Sequence, residues 1–205
     1  MKKKLAAYLL SATILCSGVT TAWAAIPVEH ERSALAFSEH ILDRTASKGL
    51  VNLALNPTGV GFPKLFTEYT NAGDNLKDLA DGIISSKQGP PIDEGPRNRW
   101  TNYDRQETAF VEVQFETEQD VHQVELFAYN DFGGVPTPKA VSVQYWDGSQ
   151  WQEAANQEVT VGTYENDTWI VPFTINFDVF RTANVRVTMI PQDGKSVGAS
   201  ELRVW

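Results

Sequence analysis

From about residue 50 onward the sequence predicts an all-β domain, an antiparallel β-sandwich of the jelly-roll kind. Three observations predict it. Apolar residues recur at every second position in several short runs, turn residues separate those runs at regular intervals, and an Asp-Gly step joins two of them as a hairpin. One stretch of the 205-residue chain, residues 25–48, has a helical period, and it lies ahead of the strand-rich part.

The first residues read as an export signal. "MKKK" supplies a positive start, "LAAYLLSATILCSGV" is an apolar run too short for a stable membrane span, and Ala22-Trp23-Ala24 is a small-x-small cleavage step. Residues 1–24 are therefore expected to be removed, leaving a secreted protein of the extracellular space or cell envelope. Cys16, the chain's only cysteine, lies inside that run behind Leu15, where a lipid-anchored signal would carry a small residue. The mature chain thus has no disulfide and no thiolate nucleophile. Residues 25–49 follow as an N-terminal arm or short helix, with Ala34, Phe37 and Ile41 on one face and Gly49 as a stop.

Next come the strands. "TAFVEVQF" places Ala109, Val111, Val113 and Phe115 on one face, with Glu112 and Gln114 opposite. "VHQVELFAY" follows the polar break "ETEQD". In "AVSVQYWDGSQWQEA", Val141, Val143 and Tyr145 share a face, and Asp147-Gly148 tolerates the positive φ of a tight turn. Trp146 and Trp151 flank that turn as an expected cross-strand pair. "QEVTVG", "TWIVPFTINF", "NVRVTMI" and "SELRVW" bring the expectation to about eight short strands.

Charge narrows the partners. The formal net charge of −9 becomes −12 once Lys2, Lys3 and Lys4 leave with the signal. Nucleic acid and anionic membrane both reward clustered Lys and Arg, so neither is an expected partner. The chain also lacks a Gly-x-Ser-x-Gly elbow, a His-Glu-x-x-His helix and a Gly-rich phosphate loop, and its three histidines, His30, His40 and His122, are scattered. An enzyme is not the expectation, although a carboxylate pair for glycoside hydrolysis needs only a separation in space.

The ordered set "ADG", "RW", "FVEVQF", "VELFAY", "VSVQYWDGSQWQEA", "NVRVTMIP" and "SELRVW" resembles the galactose-binding-like family, which includes discoidin (coagulation-factor C-type) domains and bacterial carbohydrate-binding modules. The resemblance spans residues 50–205 and implies a sandwich that binds sugars through loops at one end. It also implies a structural calcium ion, held by the carboxylates of Asp81 and Glu201, the carbonyls of Asp78, Ile83 and Ser200, and the side chain of Asn98. Here "IISSKQGPPIDEGPRNR" lengthens the usual gap between Asp-Gly and Trp100, so Asp93 or Glu94 could take the place of Ile83 or Asn98. Without the resemblance, the same residues read as a solvated acidic loop with Asp81 serving a turn. Trp100 is expected to be a core anchor.

Sugar sites combine an aromatic face with planar polar groups. The candidate loops offer Tyr69, Asn71 and Asp74, then Asn102, Tyr103, Asp104 and Arg105, then Asn130, Asp131 and Phe132 beside Gly133-Gly134, and finally Lys195. Each taken singly is an ordinary turn or rim residue, and their convergence carries the expectation. The function expected is a secreted, non-catalytic, lectin-like carbohydrate-binding module. Protein adhesion through the same loops, and an accessory piece of a glycoside hydrolase, are the alternatives.

Overall fold

The computed structural model describes residues 51–84, 97–164 and 168–205. The expectations for the signal peptide, the N-terminal arm, Asp93 and Glu94 lie outside these residues. Within them run eight strands: β1 (Lys64–Phe66), β2 (Trp100–Thr101), β3 (Ala109–Tyr129), β4 (Ala140–Trp146), β5 (Trp151–Glu153), β6 (Glu158–Val161), β7 (Ile170–Ile190) and β8 (Gly198–Val204). A 3-10 helix, Leu76–Ala80, starts on the Asn75 side chain, which accepts the Lys77 N–H.

The expected strands are not all short. "TAFVEVQF" and "VHQVELFAY" belong to one strand of 21 residues, β3, and "TWIVPFTINF" and "NVRVTMI" to another, β7. These two pair antiparallel throughout, with register breaks at Gln114/Gln119 and Val121/Gln123. The polar break "ETEQD" is where the ribbon bends, and its acids Glu118 and Asp120 pair with Arg181 across it. Polarity there marks a bulged, solvent-facing bend, and the strand continues through it.

That bend builds both layers. The first half of β3 and the second half of β7 join β1, β4 and β5, whereas their other halves join β8, β2 and β6. Antiparallel ladders bury alternate residues between the layers, among them Val111, Leu126, Ile175, Val187 and Leu202. Trp100 is fully buried, and its indole N–H donates to the Tyr69 carbonyl at 3.0 Å. The Asp147-Gly148 turn forms as expected, with Gly148 at φ 98° and Trp146 opposite Trp151 edge to face.

Candidate functional site

The loops beyond the ends of β3 and β8 are tied to one another by hydrogen bonds. Asn102 donates its N–H to the Val197 carbonyl at 3.0 Å and accepts the Val197 N–H on Oδ1 at 2.7 Å. Ser196 donates its N–H to Gly134 at 2.9 Å and its hydroxyl to Arg105 at 3.1 Å. Asn71 reaches Thr101, and Asn130 reaches Trp169, through backbone N–H groups. Residues 69–71, 102–105, 130–135, 169 and 195–197 thus form one cross-linked surface.

Two aromatic rings stand out from it. Phe132 is 62% exposed although its φ is 57°, a left-handed conformation that a bulky residue holds only when its surroundings impose it. Asn130 Oδ1 accepts the Phe132 N–H, while Asp131 Oδ1 accepts the N–H groups of Gly133 at 2.7 Å and Val135 at 2.8 Å. Tyr103 is 44% exposed, and a Cβ on Gly134 would come 2.7 Å from its ring, so glycine leaves the room in which the ring lies. Next to it Asp104, exposed, also has positive φ, at 68°. The Arg105 guanidinium lies 4.7 Å from the Tyr69 ring centroid.

A buttress runs from the interior to Phe132. The Asp74 carboxylate is buried and pairs with Arg99 at 3.3 Å and Arg97 at 3.7 Å, and it accepts the Thr101 hydroxyl. Arg99 covers the Tyr129 ring at 4.2 Å, Tyr129 contacts Trp169, and Trp169 meets Phe132 edge to face at 5.3 Å. Burial raises the Tyr129 phenol's affinity for its proton.

Several expected residues therefore change role. Asp74 is spent on the arginines, and Asn130 is buried with its oxygen on Phe132 and its amide on the Thr168 carbonyl. Both position the loop instead of presenting a polar group to solvent. Asn71 is half-buried and donates to Asp74, and Lys195 is half-buried near Lys139 and Asp193. Arg99 and Trp169 escaped the sequence reading. Trp169, second in the run "TWIVPFTINF", lies in a turn just before β7, where the turn-forming "ENDT" ahead of it could have placed it.

Asp81 and Glu201, far apart in sequence, meet beside the 3-10 helix. Gly82, at φ 83°, donates its N–H to Glu201 Oε2 at 3.2 Å, and the Asp81 carboxylate accepts the Ile83 N–H at 2.8 Å. Glu201 is fully buried in β8, its Oε1 has no hydrogen-bond partner, and Arg203 stands off at 3.8 Å. Burial pushes its carboxyl up to about 8; Arg203 opposes this and the Asp81 charge reinforces it. Burial also raises Asp81 and Asp78, and Asp78 additionally feels Asp81.

Ser200 is buried at a β-bulge: Phe127 faces Glu201 and Ala128 faces Ala199, leaving Ser200 out of register. Asn98 is half-buried at φ 48°, one residue before Arg99, whose N–H bonds the Asp78 carboxylate. Among the described residues no three acidic, histidine or cysteine side chains gather into a metal cage. What converges here is two carboxylates, Asp81 and Glu201, hard oxygen donors of the kind that suit a hard cation.

The β-sandwich architecture is shared with solved chains that include a lectin domain. No protein-family model and no curated protein matches the chain. A solved chain of the Streptococcus pneumoniae beta-galactosidase BgaA is similar with a TM-score of 0.63 at 21% identity, over 76% of this chain and 98% of that one. The lectin domain of lectinolysin, solved with the Lewis B antigen, is similar at 0.51 and 14%, over 76% and 96%. The family 32 carbohydrate-binding module of Clostridium perfringens NanJ, solved with galactose, gives 0.48 and 16%, over 69% and 91%. At these identities the likeness is one of fold.

Proposed function

We propose that this chain is an exported, non-catalytic carbohydrate-binding module that takes a sugar at the loop surface around Phe132 and Tyr103. The observation that carries the proposal is Phe132 itself: a ring held out to solvent in a left-handed conformation, fixed by Asn130, Asp131 and Trp169. Exposing an aromatic ring forfeits its burial, and holding it rigidly removes the entropy cost of ordering it on binding. Phe132 and Tyr103 supply apolar faces for the C–H side of a pyranose. Arg105, Asp104 and the backbone of Gly133-Gly134 supply polar contacts, with Tyr69 supporting Arg105. Lys195 and Asn71 form the rim. The lectinolysin lectin domain shares the fold and was solved with a glycan, which makes neutral glycans the first class to try.

Titration of the isotope-labelled chain with galactose-, fucose- and N-acetylglucosamine-terminated oligosaccharides tests this reading. Amide shifts concentrated at residues 103–105 and 132–134 are expected; shifts confined to other surfaces would refute it.

A calcium ion belongs to the same reading. Asp81 and Glu201 would hold it with the carbonyls of Asp78, Ile83 and Ser200 and the Asn98 side chain, and Glu201 Oε1, buried without a hydrogen bond 3.8 Å from Arg203, supports this. Its contribution is structural, fixing the 3-10 helix against β8. Export rests on residues 1–24, and N-terminal sequencing of the secreted protein should begin at Ala25.

A further inference from the structure

Where the chain enters β1, at the opposite end of that strand from Tyr69 and Asn71, a cavity of about 300 Å³ opens between the turn at residues 56–63 and the 3-10 helix. Leu65 and Leu76 give it an apolar floor, and its two charged wall residues are both cationic, Lys64 and Lys77. In a chain with 26 acids against 17 bases, a cavity whose charges are all positive runs against the composition. Neither lysine forms an ion pair among the described residues.

The walls are fixed in place. Asn56 accepts the Gly59 N–H at 3.1 Å and the Thr58 hydroxyl at 3.0 Å, and donates to the Pro63 carbonyl at 2.8 Å and, from its backbone, to Ala80 at 2.7 Å. Gly59, at φ 66°, lies beside the Lys77 stem: a Cβ added there would meet it at 3.6 Å, an ordinary contact. The Lys64 ammonium sits 4.6 Å from the ring centroid of Phe62, just outside the lining. Lys77 also acts electrostatically on Asp78 and Asp81, which lie outside the cavity lining and accept the N–H groups of Arg99 and Ile83.

We propose that this cavity is a second ligand site, for one anionic sugar residue whose carboxylate or sulfate ester lies between Lys64 and Lys77. Its volume is at the low end for a ligand pocket, about 300 Å³ being enough for a single ring and too small for a chain. The leucines meet the apolar face of the ring and the ammonium groups meet the anion. That the ligand is a sugar rests on the carbohydrate reading above; its negative charge rests on this cavity alone.

The test is calorimetry on the full chain with glucuronate, galactose 6-sulfate and galactose, at low and high salt. The variants are Lys64→Ala with Lys77→Ala, and Phe132→Ala. At least one anionic sugar is expected to bind, more weakly in high salt, and to lose at least about tenfold in affinity in the lysine pair, the worth of one charge-assisted hydrogen bond. Phe132→Ala should leave that binding unchanged. Preference between the two anions identifies carboxylate or sulfate as the source. Lys64→Gln with Lys77→Gln, which keeps much of the stems, replaces the alanine pair if that pair unfolds. No anionic binding, binding indifferent to the lysines, or binding lost with Phe132→Ala would each overturn the site. Anionic binding that follows the lysines while every neutral sugar fails would instead remove the loop-surface reading and keep this one.

Discussion

Glu201 is a buried carboxyl whose proton affinity rises on folding, from 4.5 to about 8. Between those values the folded chain without a cation binds the proton more tightly than the unfolded chain does. Its stability must therefore fall as pH rises through that window. Calcium binds the ionised form, so it should restore the lost stability most strongly near pH 8. Thermal melting in chelator and in calcium across this range checks both trends, and a melting temperature indifferent to calcium near pH 8 contradicts the cation site. Glu201→Gln should abolish the calcium effect and flatten the pH dependence. The pairing of Glu201 with Asp81 could be read from the sequence only through the family resemblance, because no local period links a loop to the last strand. Trp100 was easier to place: a large apolar residue beside a turn. Trp100→Ala should cost about 3–5 kcal/mol in denaturant unfolding, having left a cavity and an unpaired Tyr69 carbonyl.

Among the elements, the loop carrying Phe132 depends on one carboxylate. Asp131→Ala leaves the Gly133 and Val135 N–H groups without their acceptor, so glycan affinity should fall about tenfold or more. Asp131→Asn keeps an oxygen acceptor and should retain most of the binding, which calorimetry on the two variants would show. The β2–β8 pairing is equally exacting: a Cβ at Gly198 would sit 2.7 Å from the Thr101 side chain and 2.8 Å from the Trp100 carbonyl. Gly198→Ala should destabilise the fold by about 1–3 kcal/mol in urea unfolding. The alternating runs, the Asp147-Gly148 hairpin and the tryptophan pair were all legible because strand period and turn chemistry are local. The fusion of four runs into β3 and β7 was not, since a bulged, solvent-facing bend has the same polar composition as a loop. The buttress from Asp74 through Arg99 to Phe132 was hidden for a related reason, being assembled from separate segments that only folding brings together.

At the scale of the whole molecule, two bent strands shared by both layers make the sandwich, and the loops they leave at one end carry the aromatic surface. The fold class followed from periodicity and turn spacing, whereas the identity of the site followed only from which loops converge. The charge of the ligand each would take distinguishes the two candidate sites: neutral glycan at the Phe132 surface should bind nearly independently of salt, whereas an anion in the lysine-walled cavity should bind more weakly as salt is added. The most direct measurement is a glycan array probed with the wild-type chain and with Phe132→Ala, both shown to melt at the same temperature. The expected result, from the exposed and rigidly held Phe132 ring, is that the wild type binds at least one class of neutral glycan and the variant does not. A folded wild type that binds no neutral glycan, or a variant that binds as well as the wild type, would contradict it.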